Sequence, residues 1–337
     1  MVAIMDVMSE PLVLVSRHDV VSVITLNSPS RRNVLSADMV AALAEAYDSA
    51  EAEDVRCVVL TGAGQAFCAG ADLSTLEAAA AGEFAPVRAV YDGFLRVMAS
   101  PLPTIGAVNG PAVGAGFNLA LACDVRLASP AACFDSRFAA LRLHPGGGHT
   151  WLLSRAVGAQ QAMMACLFGE VFGADSACEH GLVAAVHPAS ELVPAAVELG
   201  SRLAGQSPEF VRRLTATLRR ASGGLSHQEV LAEETAAQRW SLGQPEFLAG
   251  LSEVRSRVVR GRSGQDEPAS AGLRLRHQPD SGGFRIAAAT AGVMPPLVPH
   301  TSAFRALRSQ ERASQVSSLT STSSAVYSIT LPTGSVK

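Results

Sequence analysis

A chain of 337 residues with 48% hydrophobic and only 17% charged residues has enough apolar side chain for one large core. Its formal net charge of -3 excludes a global basic surface for nucleic acid. The only lysine is Lys337, which excludes a lysine base or Schiff base in the folded part, and the six cysteines are spread singly, mostly in apolar runs, as buried thiols of a reducing compartment. The opening MVAIMDVMSEPLVLV has acids where a signal peptide carries bases, and no run reaches the ~20 apolar residues of a membrane span, so cytoplasm is the expected compartment.

In chain order, 12–15 and 20–26 read as a hairpin around Arg17-His18-Asp19, closed at Asn27-Ser28-Pro29. Ser36 can cap a helix over 37–52, with Met39, Leu43, Ala46, Tyr47 and Ala50 at helical spacing. A buried strand follows at 56–60, with a turn at 61–64, and strand, helix, strand in that order predicts a right-handed crossover in a parallel sheet. Residues 66–73, AFCAGADL, form a Gly- and Ala-rich loop, and 76–84 reads as a mobile Ala-rich segment. A helix over 88–98 stops at Pro101 and Pro103 before a strand at 104–108. Residues 109–128, NGPAVGAGFNLALACDVRLA, give a tight turn, a glycine pair, a helix from about 116 to 123 and a strand over 124–129. The glycine loops thus fall at strand ends, where folds of this kind bind ligands.

After Phe134 the pattern predicts helices only, over 138–143, 150–157, 160–168, 176–179, 189–203, 208–220, 227–240 and 245–257. Arg212, Arg213, Arg219 and Arg220 on one of them read first as a solvated face and second as contacts for a ligand phosphate. From residue 261 eight Arg or Lys stand against four Asp or Glu among Ser, Pro and Gly, and 317–324 is almost wholly Ser and Thr. The expected division is a folded domain over 1–258, its helical part about 190–258, and a low-complexity, disordered appendage over 259–337.

Residues 66–73, 109–128 and 143–158 together resemble the enoyl-CoA hydratase/isomerase family, the crotonase superfamily, over about residues 10 to 258. The resemblance implies an α/β fold, a crotonase-like spiral of β-β-α repeats followed by a helical region that drives homotrimers or dimers of trimers. It implies a lyase that stabilises a thioester enolate with two backbone N–H groups, carried over here to Ala71 and Ala115. Acyl-CoA is then the partner, as substrate or ligand, with no further cofactor and no metal. Ala69, Asp72, Leu73 and either Arg31 or Arg32 are the implied contacts for coenzyme A, and a local loop-holding role for Asp72 stands beside that reading.

The sequence departs from the family where catalytic carboxylates belong. The two glutamates of a hydratase would fall on Asn118 and Phe138, and the acid of an isomerase on Gly146. Asparagine cannot take a proton at neutral pH and phenylalanine can only shape or dry a pocket. His144 and His149 flank the glycine turn as substitute bases, each also readable as a packed or capping histidine. Asp135 lies three residues before Phe138, Glu77 and Glu83 fall in the segment after the first loop, and Cys68 reads as a small buried hydrophobe. A Walker loop, a zinc-type Cys/His spacing, a dinucleotide fingerprint and a serine nucleophile elbow are all missing. Three functions follow from these residues: enoyl-CoA hydration in fatty-acid or related acyl breakdown, silent acyl-CoA binding, or thioester isomerisation or hydrolysis through a histidine.

Overall fold

The computed structural model describes residues 10–262. The chain enters on β1 (Val13–His18), turns at Asp19 with φ 51°, and returns antiparallel on β2 (Val21–Leu26). Ser36 Oγ accepts the Met39 N–H and starts α1 (Ala37–Ala52), which buries Met39, Leu43, Ala46, Tyr47 and Ala50 as its spacing predicts. The helix delivers the chain to β3 (Cys57–Gly62), parallel to β2 and buried along its whole length. A continuous apolar run is what a strand covered on both faces requires.

The segment expected to be mobile starts inside a helix, α2 (Leu73–Ala80), which the Asp72 carboxylate caps by accepting the Ser74 N–H. It leads to α3 (Ala85–Ala99), β4 (Thr104–Val108), β5 (Ala112–Val113), α4 (Ala115–Ala122), β6 (Val125–Ala128) and β7 (Cys133–Asp135). Residues 138–143 make only a single 3-10 turn at Ala139–Leu141. The two helices expected over 150–168 are both present within α5 (His149–Leu167), separated by a kink at Gly158, whose φ of 79° and ψ of 166° are not helical.

Beyond α5 the expectation of helices alone is overturned, since β8 (Val171–Gly173) and β9 (Ala185–Val186) flank α6 (Ala174–Glu179). Strands this short have no periodicity of their own and exist through pairing with β7 and β6. Then come α7 (Leu192–Ser201), α8 (Pro208–Ser222), α9 (His227–Leu242) and α10 (Pro245–Arg262). The last helix runs four residues past the expected boundary at 258, and the expected appendage from 263 onward lies outside the described residues.

The strands form a six-stranded sheet in the order β1-β2-β3-β4-β6-β9, parallel apart from β1, and a three-stranded sheet in the order β5-β7-β8. The main core lies between the first sheet and α1, α3 and α4, and a smaller one between its other face and α7. The arginines of α8 hold the helix in place. Arg219 pairs with Asp124 at 2.6 Å and donates to the carbonyls of Met98, Ser100 and Leu102, while Arg212 donates to the Glu51 carbonyl at 2.8 Å. Arg213 stacks 4.5 Å from the Trp240 ring centre and Arg220 pairs with Glu233 at 3.0 Å.

Candidate active site

The two glycine loops meet backbone to backbone. The Cys68 N–H donates to the Pro111 carbonyl at 3.1 Å and the Val113 N–H to the Cys68 carbonyl at 3.0 Å, one parallel rung that joins the first loop to β5. Leu35 N–H, donating to the Gly70 carbonyl at 2.8 Å, ties the same loop to the start of α1. The glycines are required by this approach. A Cβ on Gly116 would lie 2.0 Å from the Cys68 carbonyl oxygen, and one on Gly70, at φ +93°, would lie 2.5 Å from that of Val113.

Beside this junction opens a cavity of about 910 Å³, walled mainly by apolar side chains of α2, α3 and the segment after β7. Ala71 and Ala115 both line it. Gly114 turns the chain into α4 at φ 53°, so Ala115 is the first helical residue and its N–H precedes any intrahelical acceptor. Among the described residues neither the Ala71 nor the Ala115 N–H donates to a protein acceptor.

The other expected site residues are distributed as follows. Ala69 and Leu73 line the cavity. Arg31 ion-pairs with Asp72, and the Asp72 carboxyl is held below its usual range by the Ser74 N–H and then by that guanidinium. Arg32 is exposed at φ 54°, where it ends a 3-10 turn. His144 is exposed on the cavity wall and its Nδ1 donates to the Pro145 carbonyl at 2.7 Å. Asp135 is buried, ion-paired with Arg137. Glu77 lines the cavity, whereas burial pushes the Cys68 thiol up to about 12.

At the three positions lacking carboxylates the packing is close. Phe138 lines the cavity with its ring centre 5.1 Å from that of His149. Gly146 sits beneath Tyr91, where an added Cβ would lie 2.2 Å from the phenolic oxygen. Asn118 is 1% exposed; its Nδ2 donates to the Gly146 carbonyl at 3.1 Å, and its Oδ1 lies 2.6 Å from His149 Nδ1. His149, 1% exposed, stands behind the cavity wall, and burial lowers its pKa to about 4. Its Nε2 lies 3.0 Å from the hydroxyl of Ser136, a residue that is among those lining the cavity. Ser136 escapes sequence reasoning because its partners come from α4 and α5 and no local motif marks it. No cluster of three or more His, Cys, Asp or Glu able to hold a metal occurs among the described residues, and no helix there is long and apolar enough to cross a membrane.

The sequence profile described as Enoyl-CoA hydratase/isomerase matches residues 16–251, and the chain belongs to that family. It is 50% identical over 256 residues to the Probable enoyl-CoA hydratase EchA14 of Mycobacterium tuberculosis, covering 74% of this chain and 98% of the relative. It is 41% identical over 197 residues to the 1,2-epoxyphenylacetyl-CoA isomerase of Escherichia coli, covering 56% of this chain and 74% of the relative. An enoyl-CoA hydratase structure from Mycobacterium smegmatis superposes with a TM-score of 0.67 at 30% identity, over 74% of this chain and 97% of that one. One from Geobacillus kaustophilus gives 0.68 at 30% identity, over 73% and 95%. The fold is the crotonase spiral.

Proposed function

We propose that this chain binds an acyl-CoA thioester in the 910 Å³ cavity and stabilises negative charge on the thioester oxygen with the N–H groups of Ala71 and Ala115. The observation that carries the reading is the pair of donors without protein acceptors at the cavity wall, held together by the Cys68–Ala112 rung. Donors fixed before reaction cost no reorganisation as charge develops, and the positive end of α4 adds to them. Ala69 and Leu73 flank the thioester arm, either Arg31 or Arg32 serves the phosphates of coenzyme A, and the reaction type is that of the enoyl-CoA hydratases and isomerases.

Water addition is expected to be slow. General acid or base help is worth ~10²- to 10⁴-fold per group, and Asn118, Phe138 and Gly146 supply none. Calorimetric titration with crotonyl-CoA and a long-chain enoyl-CoA, followed by loss of enoyl-thioester absorbance on the same sample, tests the reading. Binding of either ligand supports it, and failure of both to bind removes it. The chain is also read as cytoplasmic and as a homotrimer or dimer of trimers. The exposed Met163, Leu167 and Phe168 at the end of α5 support a subunit contact, which light scattering would test.

A further inference from the structure

Ser136 follows β7 directly. Val113 pairs with Asp135 and the Gly114 N–H donates to the Asp135 carbonyl at 2.9 Å, so Ser136 is placed next to the turn that presents the Ala115 N–H. The orientation of its neighbours is fixed by chemistry. The Gly146 carbonyl only accepts, so the Asn118 amide nitrogen must face it and Oδ1 must face His149. His149 then carries its proton on Nδ1 and leaves the Nε2 lone pair to the Ser136 hydroxyl. The alternative acceptor, Cys166 Sγ at 3.8 Å, is weak. The rings of Phe117 and Phe138, centred 5.3 Å and 5.1 Å from the imidazole, fix its plane.

A buried serine needs one hydrogen bond, and any acceptor would satisfy it. Here the acceptor is a base, the base is oriented by a third group, and the serine is 2% exposed on the wall of a substrate-sized cavity beside an amide donor. That is the order nucleophile, base, orienter. We propose that Ser136, His149 and Asn118 form a nucleophilic relay that hydrolyses acyl-CoA thioesters at this site.

The proposal rests on the acyl-CoA reading above. Ser136 Oγ attacks the thioester carbonyl carbon as its proton passes to His149 Nε2, and the tetrahedral oxyanion lies against the Ala71 and Ala115 N–H groups. Collapse breaks the C–S bond, and the departing sulfur takes the proton from Nε2 to leave as the free thiol of coenzyme A. Water then adds to the acyl-serine, giving its proton to Nε2. Collapse of that second intermediate returns the proton to Ser136 and releases the carboxylic acid.

The test uses saturated and unsaturated acyl-CoA on the full chain, with binding followed by calorimetry, thiol release by a colorimetric reagent, and acid-quenched protein by peptide mass spectrometry. Multiple-turnover thiol release, an acyl adduct on the Ser136 peptide, and a loss of about 10³-fold or more in kcat in Ser136→Ala support the relay. The wild-type adduct carries the test should that variant not fold. Binding without thiol release above the buffer rate, or release with acylation elsewhere, overturns the relay and leaves the acyl-CoA reading standing. Absence of binding overturns both.

Discussion

Asn118 and Gly146, two positions where the family resemblance places catalytic carboxylates, are bonded to each other, the Asn118 amide donating to the Gly146 carbonyl at 3.1 Å. The bond links α4 to the glycine turn before α5 and decides which way the amide faces. An aspartate would fit the space and reverse the electrostatics.

Asn118→Asp therefore loses its donor to Gly146 and sets a carboxylate against a carbonyl oxygen. Stability should fall by about 1–3 kcal/mol in denaturant unfolding. The new negative charge beside His149 favours the imidazolium, so its pKa rises from about 4, which an NMR titration of the ring would follow.

His149 also makes stability depend on pH. Its folded pKa of about 4 lies below the unfolded value near 6.5, because burial among Phe117, Phe138, Asn118 and Ser136 penalises the cation. The unfolded state therefore binds the extra proton first. Its contribution is whole above pH 6.5 and is lost as pH falls to about 4, a change of about 3 kcal/mol. Unfolding curves at pH 7.5 and 4.5 should show a larger drop for the native chain than for His149→Gln.

Gly116→Ala tests the junction of the two loops. Its methyl would meet the Cys68 carbonyl oxygen at 2.0 Å, a backbone atom that cannot turn aside. The loops must separate, at a cost of about 3 kcal/mol. Acyl-CoA affinity should fall with stability, and an unchanged melting temperature would contradict this packing.

Asp72→Asn separates the two roles of that residue. The amide oxygen can still accept the Ser74 N–H, so α2 keeps its cap, but Arg31 loses its counter-charge. Acyl-CoA should bind several-fold more tightly at low salt, with the gain fading as salt screens the phosphates. Weaker binding would assign the carboxylate itself to the ligand.

The sequence signals that served well were those written within one element. Ser36 and five apolar residues at helical spacing specify α1, and the apolar runs of β2 and β3 leave little room for another reading. What stayed hidden arises only from tertiary pairing. β5 and β9 are two residues each, and β8 is three, too short for periodicity. The Asp72 cap is a visible residue type, but α2 buries no residue fully, so no apolar stripe marks that helix in the sequence. At the site, both glycine loops were legible because close backbone approach demands glycine. His149 reads from the sequence either as a substitute base or as a packed or capping histidine, and it is packed behind Ser136, a residue whose importance depends on two side chains from other elements.

The Tyr91 hydroxyl over Gly146 bears on how this protein could change. Tyr91 is wedged between Phe84 and Phe94, with ring centres at 6.4 Å and 5.7 Å, and it also crowds Gly147. An acid at position 146 meets the far end of the half-buried Tyr91 side chain, so the hydroxyl must swing aside before the pocket can take the new group. The effect of Gly146→Asp is conditional on the residue at 91. Positions 91 and 146 share one contact, so the route from this active site to a carboxylate-bearing one is coupled between α3 and the glycine turn before α5, and a library varying both jointly will find variants that single-site scanning misses.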